Sequence, residues 1–359
     1  MTSLPQLQSK LAVVDAGKVE VQSKPLPVLE PDTVLVRVQA VSLNPTDWKH
    51  IDRLLKPGAS TGSDFAGVVA ALGTDADNKG LKVGDAVAGF TRGGFLADDN
   101  GAFQEYVRQH PELLWKKPDS ISFEDAAPMG GIALSTAVQA LYYRLNVPTP
   151  WSGSPAPSTP ILIWSGATGV GLYAIQLAHA AGFRVAATAS TRNHELLKKL
   201  GANFVIPYNE EGVSEKLKAW ADEFGGFRHA IDTISEFGST KLAAAAMSDQ
   251  GGEIIRLLNN QEEEKGVPKN VKVTPILIYS VLKKKNQRDF EEAAEWYQHL
   301  PDLVATGKIK PVPRKHFDGG LAAVPQGLEY LRSGKASGEK VTFTLGYADS
   351  ATASASAHL

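Results

Sequence analysis

Apolar and polar positions alternate in short runs along the first third of the chain. Val34, Val36 and Val38 fall on one side of this alternation, and the polar Arg37 and Gln39 fall on the other. A period of two is typical of strands that bury one face. Similar short runs, separated by turn residues, follow at 67–72, 85–90 and 103–107. The pattern predicts a compact, mostly β domain.

The pattern changes from residue 122 onward. Ser122, with Glu124 and Asp125 after it, indicates a helix start, and an apolar stretch with helical spacing continues to about residue 145. After a segment rich in Pro, Ser and Gly, short apolar runs alternate with helical ones. Strands are predicted at 161–164, 184–189, 204–206, 229–233 and 253–258, and helices at 172–181, 193–200, 214–224 and 241–247. This alternation predicts an α/β fold, with a Rossmann-type doubly wound parallel sheet.

The chain has 359 residues, more than a domain with one hydrophobic core usually contains, so two domains are expected. The alternating segment predicts a Rossmann dinucleotide-binding domain over 126–305, in which 271–281 is a candidate edge strand and 290–305 a further helix. A last helix and strand are expected to return to the first domain, which then comprises 1–125 and 306–350. The Ala/Ser-rich end, 351–359, is expected to be a flexible tail.

A glycine-rich turn directly follows the first strand of the alternating segment and precedes a helix. Its residues are Ser165, Gly166, Ala167, Thr168, Gly169, Val170 and Gly171. Gly166 suits a tight turn, Gly169 lets the backbone approach a pyrophosphate, and Gly171 allows close packing of helix on strand. The helix N-terminus favours negative charge. Because strand and helix flank the motif as such a site requires, we predict that this turn binds a dinucleotide.

The end of the next strand indicates which dinucleotide binds. NAD sites place an Asp or Glu there for the ribose 2′-hydroxyl. In this chain the residues that follow the predicted strand at 184–189 include no Asp or Glu before Glu195. Ser190 and Arg192 offer a hydroxyl and a guanidinium, which suit a 2′-phosphate, and so NADPH is favoured over NADH. The alternative is that Ser190 only caps a helix and that Arg192 is a solvated side chain.

Composition narrows the classes of function. The chain is 43% hydrophobic and 21% charged, which is typical of a globular protein. A formal net charge of −2, without a long basic block, gives no electrostatic reason to expect nucleic acid or an anionic membrane. Cysteine is absent, so disulfides, thiolate zinc sites and a cysteine nucleophile are excluded. The histidines show no metal-ligand spacing, and no metal is predicted.

The two ends of the chain bear on location. The first residues lack the apolar core of a secretory signal, and no apolar run approaches the roughly 20 residues that span a bilayer. A cytoplasmic location is therefore expected. The last residues, Ala357, His358 and Leu359, loosely echo a peroxisomal signal. A peroxisomal location is the alternative, and a frayed terminus is favoured because the tail before these residues has no basic residue.

Several short motifs, together with the glycine turn, resemble the medium-chain dehydrogenase/reductase family. The matching residues are Asn44-Pro45-Thr46-Asp47, Gly62-Ser63-Asp64-Phe65-Ala66-Gly67, Val83-Gly84-Asp85 with Gly89, and Gly101-Ala102-Phe103-Gln104-Glu105-Tyr106. They occur in the order found in the family, and the resemblance extends to about Leu345. It implies a mostly β GroES-like domain, which binds substrate, beside the Rossmann domain.

The resemblance is to the zinc-free quinone-oxidoreductase and enoyl-reductase branch. Zinc members carry a His-Glu pair where this chain has Ser63 and Asp64. Members of the zinc-free branch reduce a C=C bond conjugated to a carbonyl. Within it, the chain looks most like the fungal trans-acting enoyl reductases, which serve polyketide synthases that lack their own enoyl-reducing domain. The residues that carry this narrower match are Asn44 to Lys49, Ile132 to Ala137, and Ser337-Gly338-Glu339-Lys340.

The resemblance also implies catalytic residues. Lys49 follows a segment that borders the active-site cleft in the family, and its ammonium group could bond the cofactor ribose or the substrate carbonyl. The alternative is a surface lysine. Asp47 either holds Lys49 or caps a turn, and the turn is favoured. Thr136 could contact the nicotinamide or the substrate, or it could be a core threonine bonded to its own helix.

Three further residues are candidates for cofactor binding. Tyr208 resembles family tyrosines near the adenosine phosphate, and could equally be an ordinary rim residue. Asp232 ends a strand where the ligand crevice of the sheet is expected, although it also suits a role in shaping a loop. Leu258 ends the next predicted strand and could offer backbone to the nicotinamide pocket.

These observations combine into one predicted function, an NADPH-dependent, zinc-independent enoyl or enone reductase. Hydride would pass to the β-carbon, and Lys49 or backbone donors would stabilise the enolate. The substrate is expected to be a small molecule or a carrier-bound enoyl thioester, with a polyketide synthase as a candidate partner. The alternatives are a quinone or alkenal reductase that acts on free small molecules, and a non-catalytic NADPH-binding protein.

Overall fold

The computed structural model describes residues 4–53, 57–76, 80–94, 100–153 and 158–346. The predicted tail, 351–359, and the end of the predicted first domain, 347–350, lie outside the described residues. No helix within the described ranges combines the length and the apolar character needed to cross a membrane.

The chain divides into two units. Unit 1 contains the described residues of Met1–Pro128, Lys315–Lys335 and Val341–Leu359, and unit 2 contains those of Met129–Arg314 and Ala336–Lys340. The short segment Ala336–Lys340 thus belongs to unit 2, although the residues on both of its sides belong to unit 1. The predicted boundaries placed all of 306–350 in one domain, because a segment this short carries no hydrophobic period.

The strands lie as follows in chain order: β1 Leu7–Asp15, β2 Lys18–Pro25, β3 Val34–Ser42, β4 Asp64–Leu72, β5 Ala86–Phe90, β6 Tyr106–Gln109, β7 Leu114–Lys116, β8 Pro160–Trp164, β9 Arg184–Thr188, β10 Ala202–Ile206, β11 His229–Asp232, β12 Gly252–Arg256, β13 Val271–Pro275, β14 Arg314–Phe317 and β15 Lys340–Thr344. The α-helices are α1 Pro45–Arg53, α2 Phe123–Gly130, α3 Ile132–Val138, α4 Gly169–Ala180, α5 His194–Lys199, α6 Val213–Asp222, α7 Ser239–Ala245, α8 Gln287–Ala305 and α9 Val324–Arg332.

Unit 1 is built on a sheet with β3 near its centre. The strand order is β14-β15-β3-β4-β5-β7, and β6 also pairs with β3. Most of β3 is buried, and its neighbours β15, β4 and β6 run antiparallel to it. A Cβ at Gly67 on β4 would lie 2.1 Å from the carbonyl oxygen of Arg37 on β3, so only glycine fits there. The mostly β character that the alternation predicts is confirmed.

Unit 2 is built on a parallel sheet with the order β10-β9-β8-β11-β12-β13. Every residue of β8 is buried, as expected for a strand covered on both faces. Helix α4 packs on β8 and β9, α5 on β10, and α7 on β11 and β12. The strand order is that of a doubly wound dinucleotide-binding sheet, which confirms the predicted fold class. Because its strands are parallel, their carboxyl ends lie at one edge.

One predicted helix, 122–145, is in fact three elements. Helix α2 contains Pro128 and ends at Gly130, and α3 begins after Gly131, whose backbone is extended. Residues Gln139–Arg144 then form a π-helix. Proline removes an amide donor from the helix, and the extended glycine breaks the ladder of hydrogen bonds. The apolar spacing continues across these breaks, so the pattern alone could not reveal them.

Two predicted strands also differ from the observed ones. The strand predicted at 103–107 is β6, Tyr106–Gln109. The candidate edge strand at 271–281 is strand only over Val271–Pro275, and the 3₁₀-helix Ile278–Leu282 follows it. β13 is the edge of the parallel sheet and pairs with β12. Proline is common at sheet edges because it donates no ladder hydrogen bond, and Pro275 ends this strand.

Candidate functional site

The turn between β8 and α4 is fixed by side chains at both of its ends. Thr168 is the N-cap of α4, and its Oγ1 accepts a hydrogen bond from the Gly171 amide at 3.0 Å. Ser165 has a φ of 62°, which is costly for a residue other than glycine. The Oγ1 of Thr188 accepts the Ser165 amide at 2.9 Å. The left-handed residue of the turn is therefore Ser165, and Gly166 has no positive φ.

Glycine is needed for close approach at two positions of the turn, Gly166 and Gly171. A Cβ at Gly166 would lie 2.9 Å from the side chains of Ile175 and Leu197, and one at Gly171 would lie 2.6 Å from the Ser165 carbonyl oxygen. Helix α4 therefore packs directly on the turn. A Cβ at Gly169 would lie 3.2 Å from Cδ of Lys340, so this glycine faces a lysine stem.

The turn presents unused backbone donors. The amides of Ala167, Gly169 and Val170 donate no hydrogen bond to any residue that the structure describes. All three residues are partly exposed. The first amides of a helix lack partners within it, and together with the helix dipole they favour an anion. These residues fit the pyrophosphate of a dinucleotide cofactor.

The segment after β9 offers a second set of donors. Ser190 is at the N-cap position of the 3₁₀-helix Thr191–Asn193, yet its side chain makes no capping hydrogen bond. Arg192 is exposed, and no carboxylate within the described ranges pairs with it. Asn193, in contrast, is buried and donates from Nδ2 to Oγ of Ser337 at 2.8 Å. The hydroxyl and the guanidinium thus remain available to a ligand, and the amide of Asn193 is engaged.

Asp232, predicted to bind cofactor, has a structural role. It is fully buried, and its Oδ1 accepts the amides of Ile234 and Ser235 at 3.1 and 3.0 Å. Its Oδ2 accepts the hydroxyls of Ser239 and Thr240, both at 2.6 Å. With four donors from its own chain, this carboxylate shapes the loop between β11 and α7 and offers no oxygen to a cofactor.

Thr233, the residue after Asp232, joins that loop to the glycine turn. Its Oγ1 lies 2.8 Å from Thr168 Oγ1, which donates to it. The same Thr233 oxygen lies 2.9 Å from the carbonyl oxygens of Trp164 and Ser165. The carboxyl ends of β8 and β11 are therefore held in register at the point where a doubly wound sheet binds its ligand.

The loop after β12 is held by two buried charged residues. Arg256 is 1% exposed and bonds to the Asn260 carbonyl oxygen and to Glu264. Glu263 accepts the amides of Gly238 and Thr240 at 2.8 and 3.2 Å, and so caps α7. These contacts fix the loop that carries Leu258, which is partly exposed beyond the end of β12.

The structure places the other candidates of unit 2 as follows. Tyr208 is 50% exposed just after β10. Thr136 lies on α3 and is 5% exposed. The hydroxyl of the adjacent Ser135 lies 3.2 Å from that of Tyr297, which donates to the Gly130 carbonyl oxygen at 2.6 Å. The cofactor or substrate contacts of Tyr208, Leu258 and Thr136 stay predictions.

In unit 1, Lys49 lies on a helix whose start is set by Asp47. Asn44 precedes α1, Pro45 is its first residue, and Asp47 is its third. The buried Asp47 carboxylate accepts the Asn44 amide at 2.7 Å and the Ser63 hydroxyl at 2.8 Å, as in a capping box. The favoured interpretation of Asp47 as a cap is thus confirmed. Lys49 is partly exposed, with Nζ 5.6 Å from the Trp48 ring centroid.

Helix α1 is also tied to α9 by an ion pair. Arg332 donates from Nη2 and Nε to the two carboxylate oxygens of Asp52, at 2.8 and 3.1 Å, and such a two-point pair fixes orientation as well as distance. Arg332 also lies 5.8 Å from the Trp48 ring centroid. The backbone that carries Lys49 is therefore held from two sides.

His50, next to Lys49, is held as a neutral imidazole. Its Nε2 lies 3.0 Å from Thr46 Oγ1 and its Nδ1 lies 3.1 Å from the Gly93 carbonyl oxygen. Burial lowers the pKa of His50, the Gly93 carbonyl partly opposes this effect, and the charge of Arg92 adds to it. Because a histidine is ordinarily half-protonated near pH 6.5, a lowered pKa leaves this one uncharged at neutral pH.

The site residues do not fit a catalytic zinc. Ser63 donates its hydroxyl to Asp47, and within the described ranges no group of three or more His, Cys, Asp or Glu could hold a metal ion. Zinc sites use thiolate, imidazole and carboxylate ligands. A hydroxyl that donates to a carboxylate takes the place of such a ligand here.

Several residues of the site were not predicted from the sequence. Thr233, Thr188 and Asn193 fix the turn or its neighbouring loop, and Lys340 lies against Gly169. Ser337 and Lys340 belong to the motif Ser337-Gly338-Glu339-Lys340, which indicated a family resemblance but no contact with the turn. Their contacts join segments more than a hundred residues apart, and no local pattern reports such a contact.

Comparison with known proteins places this geometry in a family. Residues 30–119 match the family described as alcohol dehydrogenase GroES-like domain, and residues 169–298 match the family described as zinc-binding dehydrogenase. The chain is 39% identical over 348 residues to trans-enoyl reductase ACTTS2 of Alternaria alternata, which covers 93% of this chain and 98% of that protein. It is 34% identical over 361 residues to trans-enoyl reductase ccsC of Aspergillus clavatus, with coverages of 96% and 98%.

Solved structures agree in fold. CurK enoyl reductase superposes with a TM-score of 0.76 at 20% identity, over 95% of this chain and 100% of that one. Quinone oxidoreductase from Coxiella burnetii superposes with a TM-score of 0.71 at 26% identity, over 95% and 100%. The fold and the glycine turn are those of oxidoreductases that use a dinucleotide cofactor. The chain belongs to the medium-chain dehydrogenase/reductase family. The relatives above carry the name trans-enoyl reductase, which confirms the predicted resemblance.

The structural role of Asp232 predicts a large loss of stability on its removal. In Asp232→Ala four donors, three of them on buried residues, lose their acceptor, and the free energy of unfolding of unit 2 should fall by about 3 kcal/mol or more. Urea unfolding followed by circular dichroism measures this change. Asp249→Ala is the control, because the Asp249 side chain is 93% exposed and pairs with Lys218 at 3.2 Å. Its effect should stay below about 0.5 kcal/mol, and equal losses in the two variants would contradict the assignment.

Proposed function

We propose that the protein reduces the C=C bond of an α,β-unsaturated carbonyl compound with NADPH as the hydride donor. The observation that carries this proposal is the set of three unused amides of the glycine turn, in the same unit as Arg192, with which no carboxylate of the described residues pairs. The amides suit a pyrophosphate, and the guanidinium suits a 2′-phosphate. The relatives named trans-enoyl reductase support an enoyl substrate.

Different residues of the chain are proposed to bind different parts of the cofactor. When bound, NADPH supplies a hydride to the β-carbon of the substrate. The amides of the turn hold the pyrophosphate, and Ser190 and Arg192 hold the 2′-phosphate. Tyr208 would border the adenosine, and Leu258 would border the nicotinamide. Thr168 and Thr233 keep the turn rigid, so the cofactor is oriented without further rearrangement.

Lys49 and Thr136 are the proposed catalytic residues. As negative charge grows on the carbonyl oxygen, the ammonium group of Lys49 stabilises it, and the hydroxyl of Thr136 orients the nicotinamide. Solvent then delivers the proton to the α-carbon. The capping of α1 by Asp47 and its ion pair with α9 fix the backbone that carries Lys49.

The substrate is proposed to be an enoyl thioester on the carrier domain of a polyketide synthase that lacks its own enoyl-reducing domain. The reaction is proposed to take place in the cytoplasm. The word "trans" in the names of the relatives supports a partner on a separate chain. Quinone or alkenal reduction is the second candidate, and the likeness to the quinone oxidoreductase supports it.

The choice of reaction can be tested with labelled cofactor. We expect NADPH deuterated at C4 to transfer deuterium to the β-carbon of an enoyl thioester, which mass spectrometry of the product would show. A panel of free enones, alkenals and quinones serves for comparison. Preferred turnover of quinones, with no label on carbon, would favour the second candidate. Binding of NADPH without turnover of any compound would contradict both.

The 2′-phosphate assignment predicts a selective loss of affinity. Arg192→Ala removes a charged donor, so the Kd for NADPH should rise about 10-fold or more. The Kd for NADH should stay within about two-fold, because NADH has no phosphate there. Fluorescence titration of the reduced nicotinamide measures both constants. The matched control is Lys199→Ala, which removes an exposed charge on the next helix. An equal loss in both variants would show a general effect of charge.

The role of Lys49 can be separated from cofactor binding. Lys49→Ala should lower kcat/KM for the enoyl thioester about 100-fold and leave the Kd for NADPH within about two-fold. Stopped-flow absorbance and fluorescence titration provide the two readouts. Lys18→Ala, an exposed lysine of the same unit, should change neither. A rise in the Kd for NADPH would place the ammonium on the cofactor instead, and unchanged turnover would remove Lys49 from the site.

A further inference from the structure

The segment Ser337–Lys340 makes three contacts with the proposed cofactor site. The Gly338 amide donates to the Ala167 carbonyl oxygen at 2.9 Å. The Ser337 hydroxyl accepts from Nδ2 of Asn193 at 2.8 Å. The stem of Lys340, which is 4% exposed, lies against Gly169. All of these residues belong to unit 2. The segment therefore joins the glycine turn to the end of the 190–193 loop.

Together with contacts at the end of β9, these bonds close a ring. On one side, Thr188 accepts the amide of Gly166 at 2.8 Å through its carbonyl oxygen, and the amide of Ser165 at 2.9 Å through Oγ1. On the other side, Asn193 is tied through Ser337 and Gly338 to Ala167. Residues 189–192 are thus held at both ends to the same turn, and the ring contains both sets of proposed phosphate ligands.

The ring has little freedom at its far side. Gly338 has a φ of 74°, and a Cβ there would lie 2.7 Å from Oδ1 of Asn193. The Asn193 side chain is buried, and its amide is oriented by the bond to Ser337. Among the described residues, the side chains of Arg192 and Ser190 make no such contacts, so the backbone ring is what fixes their distance from the pyrophosphate turn.

We propose that Asn193, Ser337 and Gly338 determine the preference for NADPH, as positioning residues that hold the 190–192 loop at the spacing of the 2′-phosphate from the pyrophosphate. This inference rests on the proposed function. Rigid placement of ligand groups adds affinity by reducing the ordering that binding requires. Loosening the loop lowers affinity for the ligand that uses it, NADPH, and leaves NADH, which lacks the 2′-phosphate, almost unaffected.

The test is the ratio of Kd for NADH to Kd for NADPH in the full-length protein. Ser337→Ala removes the acceptor of the Asn193 amide, and the ratio should fall about five-fold through a rise in the Kd for NADPH alone. Asn193→Ala breaks the same bond from the other side and should give the same fall. The double variant should be no worse than the single ones, because both remove one interaction.

Two controls separate positioning from a general effect on the fold. Ser337→Thr keeps the hydroxyl and should therefore keep the wild-type ratio. Ser333→Ala removes an exposed hydroxyl that donates to the Tyr330 carbonyl oxygen, and should leave the ratio and the melting temperature unchanged. Thermal melting without cofactor shows whether each variant is folded.

Each outcome has a distinct meaning. A wild-type protein without preference for NADPH would overturn the proposed 2′-phosphate site, and the inference with it. A wild-type preference that Ser337→Ala and Asn193→Ala both retain would overturn the inference alone. Equal rises in the Kd values of NADPH and NADH would also overturn it, since the segment would then serve only the glycine turn.

Discussion

When a buried strand turns directly into a helix, the first helical amides are left without partners. In this chain the stem of Lys340 lies beside them, with Cδ 3.2 Å from where a Cβ of Gly169 would be. At Gly166 and Gly171 any Cβ would meet neighbouring atoms at 2.9 Å or less, so the turn has a single compact path. Thr168 caps the helix, and Thr188 accepts the strained Ser165 amide. The donors that result are fixed in space, and the loops after β9, β11 and β12 are arranged around them.

The carboxyl edge of the sheet also contains buried charge. Asp232, Glu263 and Arg256 each bond to donors or acceptors of neighbouring loops. Removing one partner of such a buried charged group leaves the other uncompensated, which is strongly destabilising. Asp232 accepts the amide of Ser235, which has a φ of 57°, and Glu263 accepts the amide of Gly238, which follows Phe237 with its φ of 63°. The loops at this edge are thereby set before any ligand binds, which lowers the ordering cost of binding.

Local features were predictable from the sequence, and long-range ones were not. The parallel strands from β8 to β12 follow from short apolar runs between helical ones, and the glycine turn follows from its flanking elements. The breaks at Pro128 and Gly131 were missed because apolar spacing continues across them. Asp232 resembled a ligand because acids at strand ends often face a cofactor, whereas four nearby donors in the fold engage it. Ser337 and Lys340 meet the turn only after the chain has folded.

The return of the chain at Ala336–Lys340 has a consequence for how such proteins can diverge. The gene does not encode unit 2 as one continuous cassette, because residues 129–314 lack the piece that completes the ring around the 190–192 loop. An exchange of 129–314 between two relatives, which takes a crossover at each end of that segment, would combine residue 193 of one parent with residue 337 of the other. A chimera therefore keeps both sides of the bond between residues 193 and 337 from one parent only if 336–340 is exchanged together with 129–314.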